Sequence, residues 1–182
     1  VSSIGSDAFW GCSNLTSIEI PNSVTSIEEW AFDDCSSLTS VTIPSSVIRI
    51  DNDAFSNNQY NLESVFIDDL AAWCRIDFEY SSNPLANGGE LYINEKPVVN
   101  IRISEQIEKI GKYTFEGCSS IKNVSLPESV LIIEEYAFSE CRSLEKIELS
   151  NKLESIGDYS FSNCVSLYSI TVPESVTSIG GD

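Results

Sequence analysis

Four carboxylates in one stretch, Asp68-Asp69 and Asp77 with Glu79, are the first residues of this 182-residue chain whose spacing could do chemistry. Paired acids can divide general acid and general base roles, as in glycosidases and lyases built on β-helices. Little else in the chain could. There is no histidine, so no serine has its usual activating base, and no Gly-x-Ser-x-Gly elbow occurs. The Gly-rich phosphate-binding motifs are absent as well. Catalysis needs unlike groups converging on one place. Here the polar groups recur in rows, so the chain reads as a non-enzyme.

The six cysteines follow the same logic. Without histidine or a C-x2-C pair, zinc is not expected, and no cofactor or metal is implied. Cys12, Cys35, Cys118, Cys141 and Cys164 each stand three residues after a phenylalanine. Such a column reads as buried thiols, since a disulfide needs Cβ atoms within about 3.5–4.5 Å. Cys74 stands alone, as a buried group or a reactive thiol. Acids recur too, at Glu28-Glu29, Asp51 with Asp53, Glu134-Glu135 and Asp158. They read as a solvated ridge, with weak Ca²⁺ or a basic partner as the sharper alternative, although no Asp-x-Asp-x-Asp-Gly loop is present. The balance of 10 Lys+Arg against 28 Asp+Glu gives a net charge of −18. Nucleic acid and anionic lipid are therefore poor partners. No apolar run approaches the roughly 18 residues that a spanning helix needs, so membrane insertion is not expected.

The elements that carry these residues are set by a repeat. Phe9, Phe32 and Phe55 are 23 residues apart, as are Phe115, Phe138 and Phe161. One unit runs Leu15-x-x-Ile18-x-Ile20-Pro21-x-x-Val24-x-x-Ile27-x-x-x-Ala31-Phe32-x-x-Cys35. A coil of this size cannot close a core alone, but stacked coils make each apolar column continuous. The alternation in Leu-x-x-Ile-x-Ile predicts a short strand, which Pro21, Pro44, Pro127 and Pro173 terminate. Val-x-x-Ile predicts a second extended step, and Ala-Phe-x-x-Cys a single helical or 3₁₀ turn. The fold class is an α/β repeat, a solenoid of about seven coils with parallel strands, roughly 30–40 Å long at the usual strand spacing.

The period fails between Phe55 and Phe115. Regular coils are expected over 1–67 and 98–182, and one irregular, expanded coil over 68–97, all in a single array spanning 1–182. Within the irregular part, Leu91 to Val98 reads as a hairpin, though Asn94-Glu95 lacks the glycine that favours a type I′ turn. The first and last residues, Val1 and Ser178 to Asp182, lack polar capping units, so end-to-end association of exposed coils is expected.

The unit resembles the BspA-type, or Treponema pallidum-type, leucine-rich repeat over almost the whole chain. The irregular Asp69-Leu-Ala-Ala-Trp-Cys74 stretch is similar to an expanded unit of gut Bacteroidales members. The resemblance implies an extracellular or cell-surface bacterial protein. It also implies adhesin-like binding of a host matrix or cell-surface protein, with glycan binding or a ligand-free structural spacer as alternatives. It supplies no site residues. From the residues themselves, the outward strand positions form a Ser/Thr/Asn field that Phe66 and Arg102 interrupt beside the insertion. These two, with Trp73 in the insertion, are candidate binding residues. A stripe of Trp30, Tyr113, Tyr136 and Tyr159, each two residues before the core Phe, supplies further candidates in Trp30, Tyr136 and Tyr159.

Overall fold

The computed structural model, which describes residues 1–58 and 61–181, is a β-solenoid of about eight turns built from two series of short parallel strands. In the longer strands the alternation falls as the sequence requires, with Val41 and Ile43 buried while Ser40 and Thr42 face outward. Ser17–Glu19, Ser40–Ile43, Ser64–Ile67 and Glu90–Ile93 pair in parallel, and Lys96–Pro97 closes that sheet as an antiparallel edge. Asn100–Arg102, Asn123–Ser125 and Lys146–Glu148 form a second sheet of the same series. The shorter strands form two four-stranded ladders: Ser3–Ile4, Ser26–Ile27, Arg49–Ile50 and Asp77–Phe78, then Lys109–Ile110, Ile132–Ile133, Ser155–Ile156 and Ser178–Ile179.

The Ala-Phe-x-x-Cys segment is where the structure departs from the expected helical turn. The residue two before each core Phe and the residue two after it are both left-handed: Trp30 (φ 54°) and Asp34 (55°) around Phe32, Tyr136 (57°) and Glu140 (58°) around Phe138. A left-handed residue stops an α- or 3₁₀-helix and costs an L side chain about 1–2 kcal/mol. What it permits is a third ladder. The Phe32 amide donates to the Ala54 carbonyl at 2.9 Å, Phe115 to Ala137 at 2.8 Å and Phe138 to Ser160 at 2.9 Å. The turns are thus hydrogen-bonded coil to coil, as the strands are. The only helix among the described residues is the single turn Leu70–Trp73, capped by Asp69, whose Oδ1 accepts the Ala72 amide at 2.6 Å.

Inside the coils the phenylalanines stack. Phe9, Phe32 and Phe55 lie at 5.1 and 5.2 Å between centroids, and Phe115, Phe138 and Phe161 at 5.3 and 5.6 Å. All six cysteines are free thiols; Cys35, Cys118 and Cys141 of the column are buried and Cys164 half-buried, but Cys12, in the first coil with no coil stacked before it, is exposed rather than buried as expected. In their column the thiol does polar as well as packing work. Cys35 donates to the Phe9 carbonyl, Cys141 to Phe115 at 2.9 Å, and Cys164 to Phe138. Asn58 takes the cysteine's place in its own coil, and its Nδ2 donates to the Phe32 carbonyl at 2.5 Å. At these four positions the column aims a small donor at a carbonyl of the preceding coil, whereas Cys118 meets the Ser120 hydroxyl instead. Serines after the prolines act alike: Ser46, Ser129 and Ser175 donate to Val24, Ile107 and Leu153 carbonyls of the preceding coil.

The irregular stretch supplies rungs to both series, Asp77–Phe78 and Glu90–Ile93, so 68–97 lies within the stack. Beyond it both ladders stop: no strand pair joins Asp77–Phe78 to Lys109–Ile110, or Lys96–Pro97 to Asn100–Arg102. Side chains, with one backbone bond from the Ser119 amide to the Gly89 carbonyl at 3.0 Å, splice the halves instead. Ser81 is left-handed like Trp30 and Asp53, which puts Asn83 in the phenylalanine column. Buried there, Asn83 donates to the Tyr113 and Thr114 carbonyls and accepts the Leu85 amide. The Trp73 indole N–H donates to the Thr114 carbonyl at 2.9 Å. Gly117 (φ 70°) passes so close to the chain that a Cβ would sit 2.4 Å from the Ala86 carbonyl carbon. The hairpin turn carries left-handed φ at both Asn94 and Glu95, the type I′ signature, despite the missing glycine. The pairs Tyr92–Pro97 and Ile93–Lys96 and the Val98 amide donating to Leu91 hold it in that hand.

Two stability predictions follow from this packing. Phe138→Ala, in the middle of a stack, should cost about 3–5 kcal/mol in denaturant unfolding, and a loss below about 1 kcal/mol would contradict the stacked core. The second concerns Glu116, which is pushed up to about 7 by burial and, behind it, by the Glu140 carboxylate. Asp33, its counterpart in the first half, accepts from Trp10, Ser56 and Asn57. A raised carboxyl contributes stability that is full below its unfolded value, near 4.5, and is lost as pH rises through about 7. Glu116→Gln should therefore raise the melting temperature at about pH 8 and leave it almost unchanged at about pH 4. An equal effect at both pH values would show that the side chain acts through packing alone.

Candidate functional site

The outward positions of the long strands give the broadest continuous surface. In the first half one column runs Ser17, Ser40, Ser64, Glu90 and the next Glu19, Thr42, Phe66, Tyr92, as the register fixes. Phe66 is half-buried, with its ring 5.0 Å from that of Tyr92 at a 32° tilt, and the Tyr92 hydroxyl donates to Glu90 Oε2 at 2.5 Å. Tyr92 was hidden from sequence reasoning because it lies in the hairpin; the alternation Leu91-Tyr92-Ile93 was the available signal. Arg102 is exposed, but it belongs to the second sheet, beside Ser125. The sheet that carries Phe66 ends in the hairpin, and Phe66 has Tyr92 rather than Arg102 as its cross-strand partner.

Trp73 is corrected from a surface candidate to a core residue. It is 1% exposed, tilts against Phe78 at 5.0 Å and spends its N–H on Thr114. Its apolar helix turns inward because that face has to fill the gap left where the ladders stop. The aromatic stripe divides. Tyr113, Tyr136 and Tyr159 stack at 5.3 and 4.9 Å with planes within 16°, so Tyr136 has both faces covered and shows an edge. Trp30, 42% exposed, has the non-aromatic Asp7 and Asp53 as its column neighbours.

Several of the acids accept backbone amides. Asp69 caps the helix turn, and Asp68 accepts the Ser45 hydroxyl. Asp77 opens the short strand and Glu79 follows it, where their backbone amides donate to the Ile48 and Ile50 carbonyls. In the periodic ridge, Glu28 accepts the Ser6 amide, Glu134 the Lys112 amide and Asp158 the Gly181 amide, each a turn N–H one coil away. Among the described residues no group of three or more acids or cysteines is placed to hold a metal. Burial pushes the Cys74 thiol up to about 12 and that of Cys164 up to about 11, so neither is a ready nucleophile. The last coil leaves Val165, Tyr168 and Ile179 exposed, while Asp182 lies outside the described residues. No helix of the described residues is long and apolar enough to cross a membrane.

With this geometry in hand, comparisons place the chain. A family model described as the BspA type leucine rich repeat region matches residues 1–82 and 89–182 in six copies. A comparison with curated proteins returns no match. Among solved structures, a leucine-rich repeat protein from Bacteroides ovatus is 29% identical with a TM-score of 0.59, covering 99% of this chain and 49% of that one. A leucine-rich cell surface protein from Faecalibacterium prausnitzii is 25% identical with a TM-score of 0.53, covering 98% and 59%. A T. pallidum leucine-rich repeat protein, 24% identical with a TM-score of 0.56, covers 92% and 72% and shares the fold. The chain thus spans only about half to three fifths of the length of the first two.

Proposed function

The chain belongs to the BspA-type leucine-rich repeat family, and from that premise we propose that it is an adhesin-like binding module of a bacterial surface or secreted protein. Its ligand is a host matrix or cell-surface protein, held on the strand face, taken as concave, and on the adjoining hairpin. The observation that carries this reading is the Phe66–Tyr92 pair, two half-buried aromatic rings in contact within a field of serine and threonine. Aromatic residues ringed by small polar groups are the usual anchors of protein interfaces. Support for the location comes from the F. prausnitzii relative, which is described as a cell surface protein. The rows of like groups, several of whose carboxylates accept backbone amides, suit a scaffold better than an enzyme.

The experiment is a binding screen of the protein on matrix proteins and glycans, beside Phe66→Ala/Tyr92→Ala and Arg102→Ala variants. Saturable protein binding is expected. It should weaken by about tenfold or more in the aromatic double variant while the melting temperature stays within a few degrees, the behaviour of a hot spot. Binding untouched by that variant would move the site elsewhere. A blank from well-folded protein would leave the spacer reading.

A further inference from the structure

Beside the Phe66–Tyr92 pair lies a notch of about 460 Å³ lined by Glu63, Ser64, Asn87, Glu90, Tyr92 and Ser119. Glu63 is exposed and Glu90 half-buried, and among the described residues neither carboxylate meets a lysine or arginine. Six of the ten basic residues, Arg49, Lys109, Lys112, Lys122, Arg142 and Lys146, sit in ion pairs elsewhere, and none of the ten lines the notch, in a chain whose net charge is −18. Among the described residues the chain itself thus places no cation in the notch. The Tyr92 hydroxyl holds Glu90 Oε2, and a carboxylate has room for further donors, so the bond orients the acid without closing it.

Two carboxylates beside an aromatic pair match one kind of side chain. A lysine or arginine lays its aliphatic stem along the rings and its charged end against the acids. We propose that the notch receives a lysine or arginine from a basic segment of the partner, so that the strand face docks a cationic polypeptide surface. This rests on the reading of that face as the binding surface and adds the chemistry of its occupant. A metal ion is a weaker match, because Ca²⁺ takes about six to eight oxygen ligands and the notch offers two carboxylates.

The test uses the whole chain and a fluorescent lysine/serine peptide of about a dozen residues, with a glutamate/serine peptide as counterpart, at about 20 and about 150 mM salt, which brackets strong and weak screening. The wild type should bind the lysine peptide saturably at low salt, more weakly at high salt, and should ignore the glutamate peptide. Glu63→Gln/Glu90→Gln should lose about tenfold or more. Glu105→Gln/Glu154→Gln removes the same charge from exposed positions elsewhere and should change affinity less than about twofold. Absence of lysine-peptide binding, equal loss in both double variants, or binding of the glutamate peptide would each overturn the proposal. Should a protein ligand from the screen still depend on Phe66 and Tyr92 while the lysine peptide fails, the docking face stands and its basic occupant does not.

Discussion

The coils of Phe9, Phe32, Phe115 and Phe138 each pass the amide hydrogen of that core residue to a carbonyl one coil away, and the arrangement of everything else depends on that bond. A parallel solenoid has to find partners for buried backbone groups in its turns as well as its strands. Here the turn residues on either side of each phenylalanine are left-handed, which aims the Phe amide along the stacking axis. The same backbone sets the rings one above another at 5.1–5.6 Å. Strain at the left-handed residues is thereby offset by a ladder and a stack together. Neither would form with an α-helical turn in that place, because its amides would point back into the coil.

The side-chain columns complete what the ladder leaves open. Cysteine, or asparagine at Asn58, reaches the phenylalanine carbonyl of the preceding coil. Serines reach the carbonyls near the shorter strands, and carboxylates accept turn amides. Rows that look on paper like reactive groups are therefore backbone partners repeated once per coil. Chemistry specific to one place has room only where the period breaks, which is where Tyr92, Glu90 and Asn87 lie.

Much of this was legible in the residues and some was not. The apolar columns, the parallel pairing and the buried thiols of the inner coils, Cys35, Cys118 and Cys141, follow from period and spacing, since a 23-residue coil has one way to bury Leu, Ile, Val and Phe together. The left-handed turns were not legible, because Trp30, Tyr136 and Glu140 are poor left-handed formers and only inter-coil bonding selects that state. Asn83 in the phenylalanine column was hidden for a similar reason: its partners, Tyr113 and Thr114, are about 30 residues away. Trp73 read as a surface group because the broken ladders it fills have no signature in a single sequence. Of the candidate face, Phe66 was visible through its outward register. Its true neighbour Tyr92 was masked because it lies in the expected hairpin, outside the repeating columns, where period gives no register.

Native-state hydrogen exchange, read residue by residue, tests the ladder most directly. The account predicts that the amides of Phe32, Phe115 and Phe138 exchange only through global or half-array unfolding, as slowly as the strand amides of their own coils. Exchange of those three at the fast rates of ordinary exposed turns, with the strand amides still protected, would contradict it.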